Sequence, residues 1–256
     1  MSRRVFDFGH AIVRTPAPSV VEGLRVGGEA PGYEGVLAEH RAYVAALEAA
    51  GVAVETLPPL ADYPDSVFVE DPAFVLPEGA VLLRPGAPSR AGETAEIAPA
   101  LRARFARVLE QDEGFADGGD ILILPDEILI GLSARTDRLG AMRVVTLLAE
   151  LDRPARIVET PAGVLHLKTA CALLDESLLI ATPALAAAFA KHEVMVTPPG
   201  EERAANLIRV NDQVLMAAGH ERTQAMLEAR GLDVVPVPAA EIAKIDAGLS
   251  CMSLRW

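Results

Sequence analysis

One hydrophobic pattern recurs four times along the chain: an apolar run, a short polar turn and a second apolar run. This order is typical of a β-hairpin, in which two strands fold back on each other across a tight turn. The four copies span residues 73–83, 121–130, 172–180 and 207–216. Their turns are centred at residues 78, 126, 176 and 212, so the steps between them are 48, 50 and 36 residues. The pattern therefore predicts an internal repeat of roughly fifty residues with a shortened last copy.

Helical periodicity lies in the segments between the hairpins. Apolar residues three or four positions apart predict helices with one buried face. These faces contain Val36, Tyr43, Val44 and Leu47; Ile97, Leu101, Phe105 and Val108; Val144, Val145 and Leu148; and Met226 and Leu227. Short runs rich in β-branched residues follow at 52–54, 156–158 and 234–237, and they favour strands. Each repeat is therefore predicted to be a ββαβ-like unit.

The two ends of the chain are predicted to build a fifth unit. The C-terminal run 251–256 would pair with 5–8 or with 11–14. Such pairing closes a ring and removes exposed sheet edges. This predicts one α/β domain over residues 1–256, a five-fold pseudo-symmetric α/β propeller closed by the N- and C-terminal strands. The alternative is a non-symmetric α/β sandwich in which the hairpins resemble one another by chance.

Composition narrows the class of partner. Hydrophobic residues make up 51% of the 256 residues, which favours a large folded core. The formal net charge of −13 argues against binding to nucleic acids or anionic membranes and favours a cationic small molecule. Simple solubility is the alternative explanation of the charge.

Several other classes lack support in the sequence. No apolar run is long enough to span a bilayer. Cys171 and Cys251 are too few for a disulfide framework, so we expect a cytoplasmic protein. The five histidines are widely spread and no metal-binding or nucleotide-binding motif is present, so we expect no metal and no organic cofactor.

Candidate chemical groups precede the hairpins at equivalent places. Glu70 and Asp71 precede the first hairpin, Asp117 the second and His166 the third, and Cys251 opens the proposed fifth. Cys251 could instead be a small core residue, and His166 a histidine satisfied within the core. In a pseudo-symmetric ring, however, equivalent positions meet at one end of the axis. Their register therefore favours a nucleophilic enzyme that acts on a cation.

Six motifs together identify a family. They lie at 65–72, 84–90, 117–120, 131–136, 166–169 and 249–251. In this order and spacing the chain closely resembles the dimethylarginine dimethylaminohydrolases, members of the guanidino-group-modifying (pentein) superfamily. The resemblance implies a five-bladed α/β propeller. It also implies hydrolysis of asymmetric dimethylarginine and monomethylarginine to citrulline and dimethylamine or methylamine, through a covalent thiouronium intermediate on Cys251.

The resemblance also implies roles for individual residues. Cys251 matches the nucleophile, His166 the general acid and base, and Asp117 the acidic residue that faces both the guanidinium and the histidine. The remaining matches concern substrate binding: Asp71 with Glu70 beside it for the guanidinium, Arg90 and Arg135 for the substrate carboxylate, Asp65 near its amino group, Ile245 and Asp246 in the pocket wall, and Leu24 as the lid-loop leucine.

One departure separates this chain from a related activity. Arginine deiminases resemble it around His166 but usually have an aspartate where this chain has Lys168. The lysine therefore favours methylated substrates over arginine. Three alternatives stay open: a hydrolase of another Nω-substituted arginine such as hydroxyarginine, an arginine deiminase, and a non-enzymatic binding protein for cationic amino acids. The protein could also form a homodimer.

Overall fold

Fifteen short strands and four α-helices make up the regular structure in a computed structural model, which describes residues 4–189 and 191–256. The strands are β1 His10–Arg14, β2 Ala53–Leu57, β3 Ala73–Leu76, β4 Gly79–Leu82, β5 Val108–Glu110, β6 Ile121–Ile123, β7 Ile128–Leu132, β8 Ala155–Glu159, β9 Cys171–Leu173, β10 Leu178–Ala181, β11 Glu193–Val196, β12 Ile208–Val210, β13 Gln213–Ala217, β14 Asp233–Val237 and β15 Leu254–Arg255. The helices are α1 Tyr33–Ala49, α2 Glu93–Arg104, α3 Arg138–Glu150 and α4 Glu221–Glu228. None of these described helices is both long and apolar enough to cross a membrane.

The strands form five three-stranded sheets of the same design. Their orders are β15-β1-β2, β3-β4-β5, β6-β7-β8, β9-β10-β11 and β12-β13-β14. In every sheet the middle strand is antiparallel to the first strand and parallel to the third. This repeated topology confirms the predicted five-fold pseudo-symmetric α/β propeller and excludes the non-symmetric sandwich.

The hairpin strands are buried and the third strands form the outer part of each sheet. All residues of β3 and β4 are buried, whereas β2 and β8 contain no fully buried residue. This difference follows from the sequence, because the hairpin strands are mostly apolar, whereas each third strand contains at least one charged residue. The helices cover the sheets through one apolar face, as Val36, Tyr43 and Leu47 do on α1.

The two ends of the chain close the ring, but with a shorter strand than the sequence predicted. Ala11 pairs with Arg255 and Ile12 with Leu254 in antiparallel register, so β1 rather than residues 5–8 supplies the partner. Cys251 lies before this strand, in a 3₁₀ turn spanning Leu249–Met252. A hydrogen bond of 2.5 Å between the hydroxyls of Tyr43 and Ser253 ties the closing segment to α1.

Two further differences have identifiable causes. Between β10 and β11 the described residues of the fourth unit contain a 3₁₀ turn, Ala186–Phe189, in place of an α-helix, which accounts for the shorter spacing after residue 176. Val108, which helical spacing placed on the face of α2, is instead the first residue of β5. Phe105 is already extended, because pairing of β5 with β4 outweighs the local helical period.

Candidate active site

Five polar side chains converge because they occupy equivalent places in the five units. Asp71 lies two residues before β3, Asp117 and His166 begin the 3₁₀ turns that precede β6 and β9, and Cys251 lies in the turn before β15. The fourth unit contributes Asn206, which ends the turn before β12. The sequence reasoning missed Asn206, although the register of the repeat would have found it.

His166 and Asp117 form a buried hydrogen-bonded pair. His166 Nε2 lies 2.9 Å from Asp117 Oδ2, and the other Asp117 oxygen accepts the backbone N–H of Gly86 at 2.7 Å. Burial alone would lower the pKa of His166, but the nearby charge of Asp71 and the hydrogen bond to Asp117 raise it to about 9. The imidazole therefore carries a proton at neutral pH and can act as a general acid.

The thiol of Cys251 is buried in an acidic setting. Cys251 is 8% exposed, and its Sγ lies 3.9 Å from Ser250 Oγ and 4.0 Å from Asn206 Nδ2. Burial, followed by the charges of Glu70 and Asp71, raises its pKa to about 12. A thiol in this state is unreactive until a nearby positive charge favours the thiolate.

Arg90 is already engaged within the protein. Its Nη1 pairs with Asp71 Oδ2, and its Nε and Nη2 donate to the two oxygens of Glu93 at 3.0 and 2.6 Å. Burial alone would raise the pKa of Asp71, but the Arg90 guanidinium holds it below its usual value. Asp71 is therefore ionised and held in a fixed orientation.

Asp71, Asp117 and His166 are also close enough together to hold a metal ion, since their ligand atoms lie within 4.8 Å of one another. These atoms already have protein partners, because Asp71 pairs with Arg90 and His166 pairs with Asp117. We therefore interpret the cluster as an acid–base and cation-binding group rather than a metal centre.

A cavity of about 130 Å³ unites most of the predicted residues. Ten of the eleven line it: Leu24, Asp65, Asp71, Arg90, Asp117, Arg135, His166, Ile245, Asp246 and Cys251. Phe68 and Leu165 add apolar wall that no polar motif in the sequence indicated. The cavity therefore presents carboxylates and the thiol beside apolar surface, which suits a cationic ligand with an aliphatic part.

Glu70 is the predicted residue that the structure does not bring into this cavity. Its carboxylate accepts Lys168 Nζ at 2.6 Å and Ser250 Oγ at 3.2 Å. All three residues line a separate cavity of about 110 Å³. The resemblance implied that Glu70 contacts the substrate, but the structure does not place it in the substrate cavity. Its carboxylate instead binds Lys168 and Ser250, away from its neighbour Asp71.

A loop that contains Leu24 and Val26, and the side chain of Arg135, also line the cavity. Asp65 Oδ1 accepts the backbone N–H of Leu24 at 3.0 Å, and Asp246 Oδ2 accepts that of Val26 at 2.6 Å, so two carboxylates hold the loop. Within the described chain, the Arg135 guanidinium makes no ion pair, unlike that of Arg90. Arg135 is therefore the freer of the two arginines to meet an anionic group.

The fold and the site first indicate the class of protein to which this chain belongs. A five-bladed α/β ring with cysteine, histidine and carboxylates at one end of its axis is the arrangement of the guanidino-group-modifying penteins. A family model described as Arginine deiminase matches residues 57–217.

Two curated relatives are both named N(G),N(G)-dimethylarginine dimethylaminohydrolase. The protein from Pseudomonas aeruginosa is 39% identical over 255 residues, which cover 97% of this chain and 100% of the relative. The protein from Streptomyces coelicolor is 34% identical over 250 residues, 96% of each chain. The chain therefore belongs to the arginine deiminase family and, within it, to the dimethylarginine dimethylaminohydrolases.

Solved structures agree with this placement. The P. aeruginosa enzyme, as a cysteine-to-serine variant complexed with citrulline, superposes with a TM-score of 0.95 at 38% identity, covering 98% of this chain and 100% of that one. The N-terminal domain of ArgZ, an arginine dihydrolase, superposes with a TM-score of 0.86 at 20% identity over 97% of each chain. At that identity the second likeness supports the fold alone.

Proposed function

We propose that this protein hydrolyses asymmetric dimethylarginine and monomethylarginine to citrulline and dimethylamine or methylamine. The observation that supports this most strongly is the convergence of Cys251, the His166–Asp117 pair and Asp71 on one cavity. The chain that builds this cavity is 39% identical, over nearly its whole length, to a dimethylarginine dimethylaminohydrolase.

Substrate binding places the guanidinium over the thiol. Asp71 and Asp117 bind the delocalised cation and fix its plane, and such positioning lowers the activation barrier of the reaction by several kcal/mol. Arg135 pairs with the substrate carboxylate, since guanidinium and carboxylate match geometrically, and Arg90, which also lines the cavity, adds a second positive charge near it. Asp65 lies where it can accept the substrate ammonium.

The apolar wall and the cavity mouth complete the binding site. Leu24 and Ile245 supply apolar contacts for the methyl groups. Asp246 acts indirectly, because its carboxylate holds the backbone of Val26 at the cavity mouth. Glu70 keeps an indirect role, through Ser250 beside the nucleophile.

The reaction then proceeds through a covalent intermediate. The bound cation lowers the pKa of the Cys251 thiol, which releases its proton to solvent, and the thiolate forms a C–S bond to the central guanidinium carbon. The C–N bond to the methylated nitrogen breaks, and that nitrogen takes the proton of the His166 imidazolium. Water next loses a proton to His166 and adds to the thiouronium carbon. Cleavage of the C–S bond releases citrulline and regenerates the Cys251 thiolate.

A citrulline-release assay across four substrates tests the proposal. We expect kcat/KM for asymmetric dimethylarginine to exceed that for arginine by about tenfold or more. Lys168 occupies the position of the deiminase aspartate and is engaged by Glu70, so an unsubstituted guanidinium nitrogen lacks one acceptor. Monomethylarginine should also react. A preference for arginine would favour a deiminase, and a preference for hydroxyarginine the other hydrolase. Binding without citrulline formation would favour the binding protein.

Arg135→Ala should lower kcat/KM for substrates that carry a carboxylate more than for substrates that lack one. We expect kcat/KM for dimethylarginine to fall by about tenfold to a hundredfold, since a hydrogen bond to a charged group contributes about 1.5–3 kcal/mol. Hydrolysis of a simple methylated alkylguanidine, which has no carboxylate, should change little. Arg138→Ala, on the first turn of α3 and paired at the surface with Glu159, is the matched control. Equal losses for both substrates would make Arg135 a structural residue.

Domain organisation, location and assembly complete the proposal. We infer that residues 1–256 act as one catalytic domain, because the first and last strands share a sheet. A cytoplasmic location suits an enzyme whose two cysteines are both free.

Homodimer formation stays a prediction, and light scattering of the purified protein measures it. Phe115, Leu139 and Met142 are exposed apolar side chains available to such an interface.

A further inference from the structure

Arg90 is the most completely engaged charged side chain in the candidate active site. It is 4% exposed. The two carboxylate oxygens of Glu93 accept hydrogen bonds from Arg90 Nε and Nη2, with N–O distances of 3.0 and 2.6 Å. Nη2 also lies within hydrogen-bond distance of the backbone carbonyls of Phe68 and Asp65, at 2.8 and 3.2 Å. Its Nη1 pairs with Asp71 Oδ2.

This pairing raises a question of charge. Asp71 is the carboxylate proposed to grip the substrate guanidinium, yet a guanidinium of the protein already contacts it. Asp71 and Arg90 by themselves would be neutral, and a substrate cation would enter a neutral pair. When ionised, Glu93 adds a second negative charge to this buried group, so Asp71, Arg90 and Glu93 together then carry a net charge of −1.

We propose that Glu93 is a positioning residue that neutralises Arg90 and thereby leaves the negative charge of Asp71 available to the substrate guanidinium. The inference rests on the proposed function and adds to it a residue outside the cavity. Glu93 is 3% exposed and does not line the cavity, so it acts only through Arg90.

The surroundings of Glu93 make this function sensitive to pH. The charged groups that act on it are Arg90 on the same segment, Asp65 and Asp71 on the loop before β3, and Arg14 on β1. Burial raises the pKa of Glu93 to about 7, with Asp71 and Asp65 adding to the rise and Arg90 opposing it. As pH falls below about 7, Glu93 gains a proton, Arg90 loses its balancing charge, and substrate affinity should decline.

Glu93→Gln tests the role by removing the charge while keeping the shape. We expect KM for dimethylarginine to rise about tenfold or more, the scale of one charge acting inside a buried cluster, while kcat changes less than about threefold. The matched control is Glu96→Gln, one turn along α2 on its exposed side, which removes the same charge and should leave both constants unchanged. Glu93→Asp, which keeps the charge, should restore much of the affinity.

The pH profile gives a readout that a purely structural role would not move. In the wild-type protein KM should rise as pH falls through about 7, and in Glu93→Gln that rise should disappear. If Glu93→Gln does not fold, as judged by circular dichroism, the pH profile of Glu93→Asp provides the test instead. An aspartate titrates at lower pH, so the acid rise in KM should shift to lower pH.

Two outcomes would overturn the inference. The first is that Glu93→Gln and Glu96→Gln have the same KM. The second is that the rise in KM at acid pH occurs at the same pH in the wild type and in Glu93→Asp. Each is distinct from failure of the proposed function, in which the wild-type protein itself would form no citrulline from methylated arginines.

Discussion

Replacing Cys251 by serine is expected to abolish citrulline formation, with a loss of about 10⁴-fold or more in kcat. A hydroxyl is a far weaker nucleophile than a thiolate at neutral pH, so the C–S intermediate has no counterpart of similar reactivity. The change is nearly isosteric within the turn Leu249–Met252, so the melting temperature and circular dichroism should stay close to those of the wild type. A citrulline assay with these two measurements checks the prediction.

Cys171 supplies the internal control. Its Sγ donates to the backbone carbonyl of Leu167 at 3.3 Å, it is fully buried at the start of β9, and burial raises the pKa of its thiol far above the usual range. Cys171→Ser should therefore retain citrulline formation if the protein folds. Mass spectrometry of an acid-quenched reaction should locate the substrate adduct on the peptide that contains Cys251. An adduct on Cys171 would refute the assignment of the nucleophile.

His166→Asn is expected to lower kcat by about 10²–10⁴-fold, the range of general acid–base catalysis. Asparagine keeps a polar side chain at the start of the 3₁₀ turn that precedes β9 but cannot protonate the leaving amine or take a proton from water. Substrate binding should change less, because Asp71, Asp117 and Arg135 provide the grip. Rapid-quench measurement of the intermediate, alongside binding of citrulline by calorimetry, separates these effects.

The pH dependence of this variant adds a second check. Because the pKa of His166 is raised to about 9, the protonated acid is present below that pH and is lost as pH rises through it. Turnover limited by leaving-group protonation should therefore fall above about pH 9 in the wild type, and this limb should vanish in His166→Asn. His220→Asn, before α4 and away from the cavity, is the control. Turnover near the wild-type rate in His166→Asn would contradict the assigned role.

Much of the fold was accessible from the sequence because the repeating unit is built from local contacts. A hairpin joins residues a few positions apart, so its apolar runs and polar turn lie together in the sequence, as they do at 73–83 and 121–130. The closing step was also predictable, since a fifth unit needed one strand from each end. The resemblance to a family then indicated eleven residues, of which ten line one cavity.

The ends of the elements were less accessible. Val108 continues the helical period of α2 in sequence but lies in β5, where its pairing partner is Ala80 on β4. Cys251 follows an apolar strand pattern but lies in a 3₁₀ turn, because the closing strand begins only at Leu254, opposite Ile12. In both cases a contact between residues distant in the chain outweighs the local pattern.

By itself, the sequence determined which chemical groups this protein has and which repeat unit carries each of them. Only the tertiary structure decided where each side chain points and which charges it meets. Glu70 and Asp71 are adjacent in sequence, yet Lys168 holds the first toward one cavity and Arg90 holds the second in another. The balancing role inferred for Glu93, like the raised pKa values of His166 and Cys251, depends on burial and on charges brought together from separate units. Electrostatic energies follow distance and burial in space rather than separation along the chain.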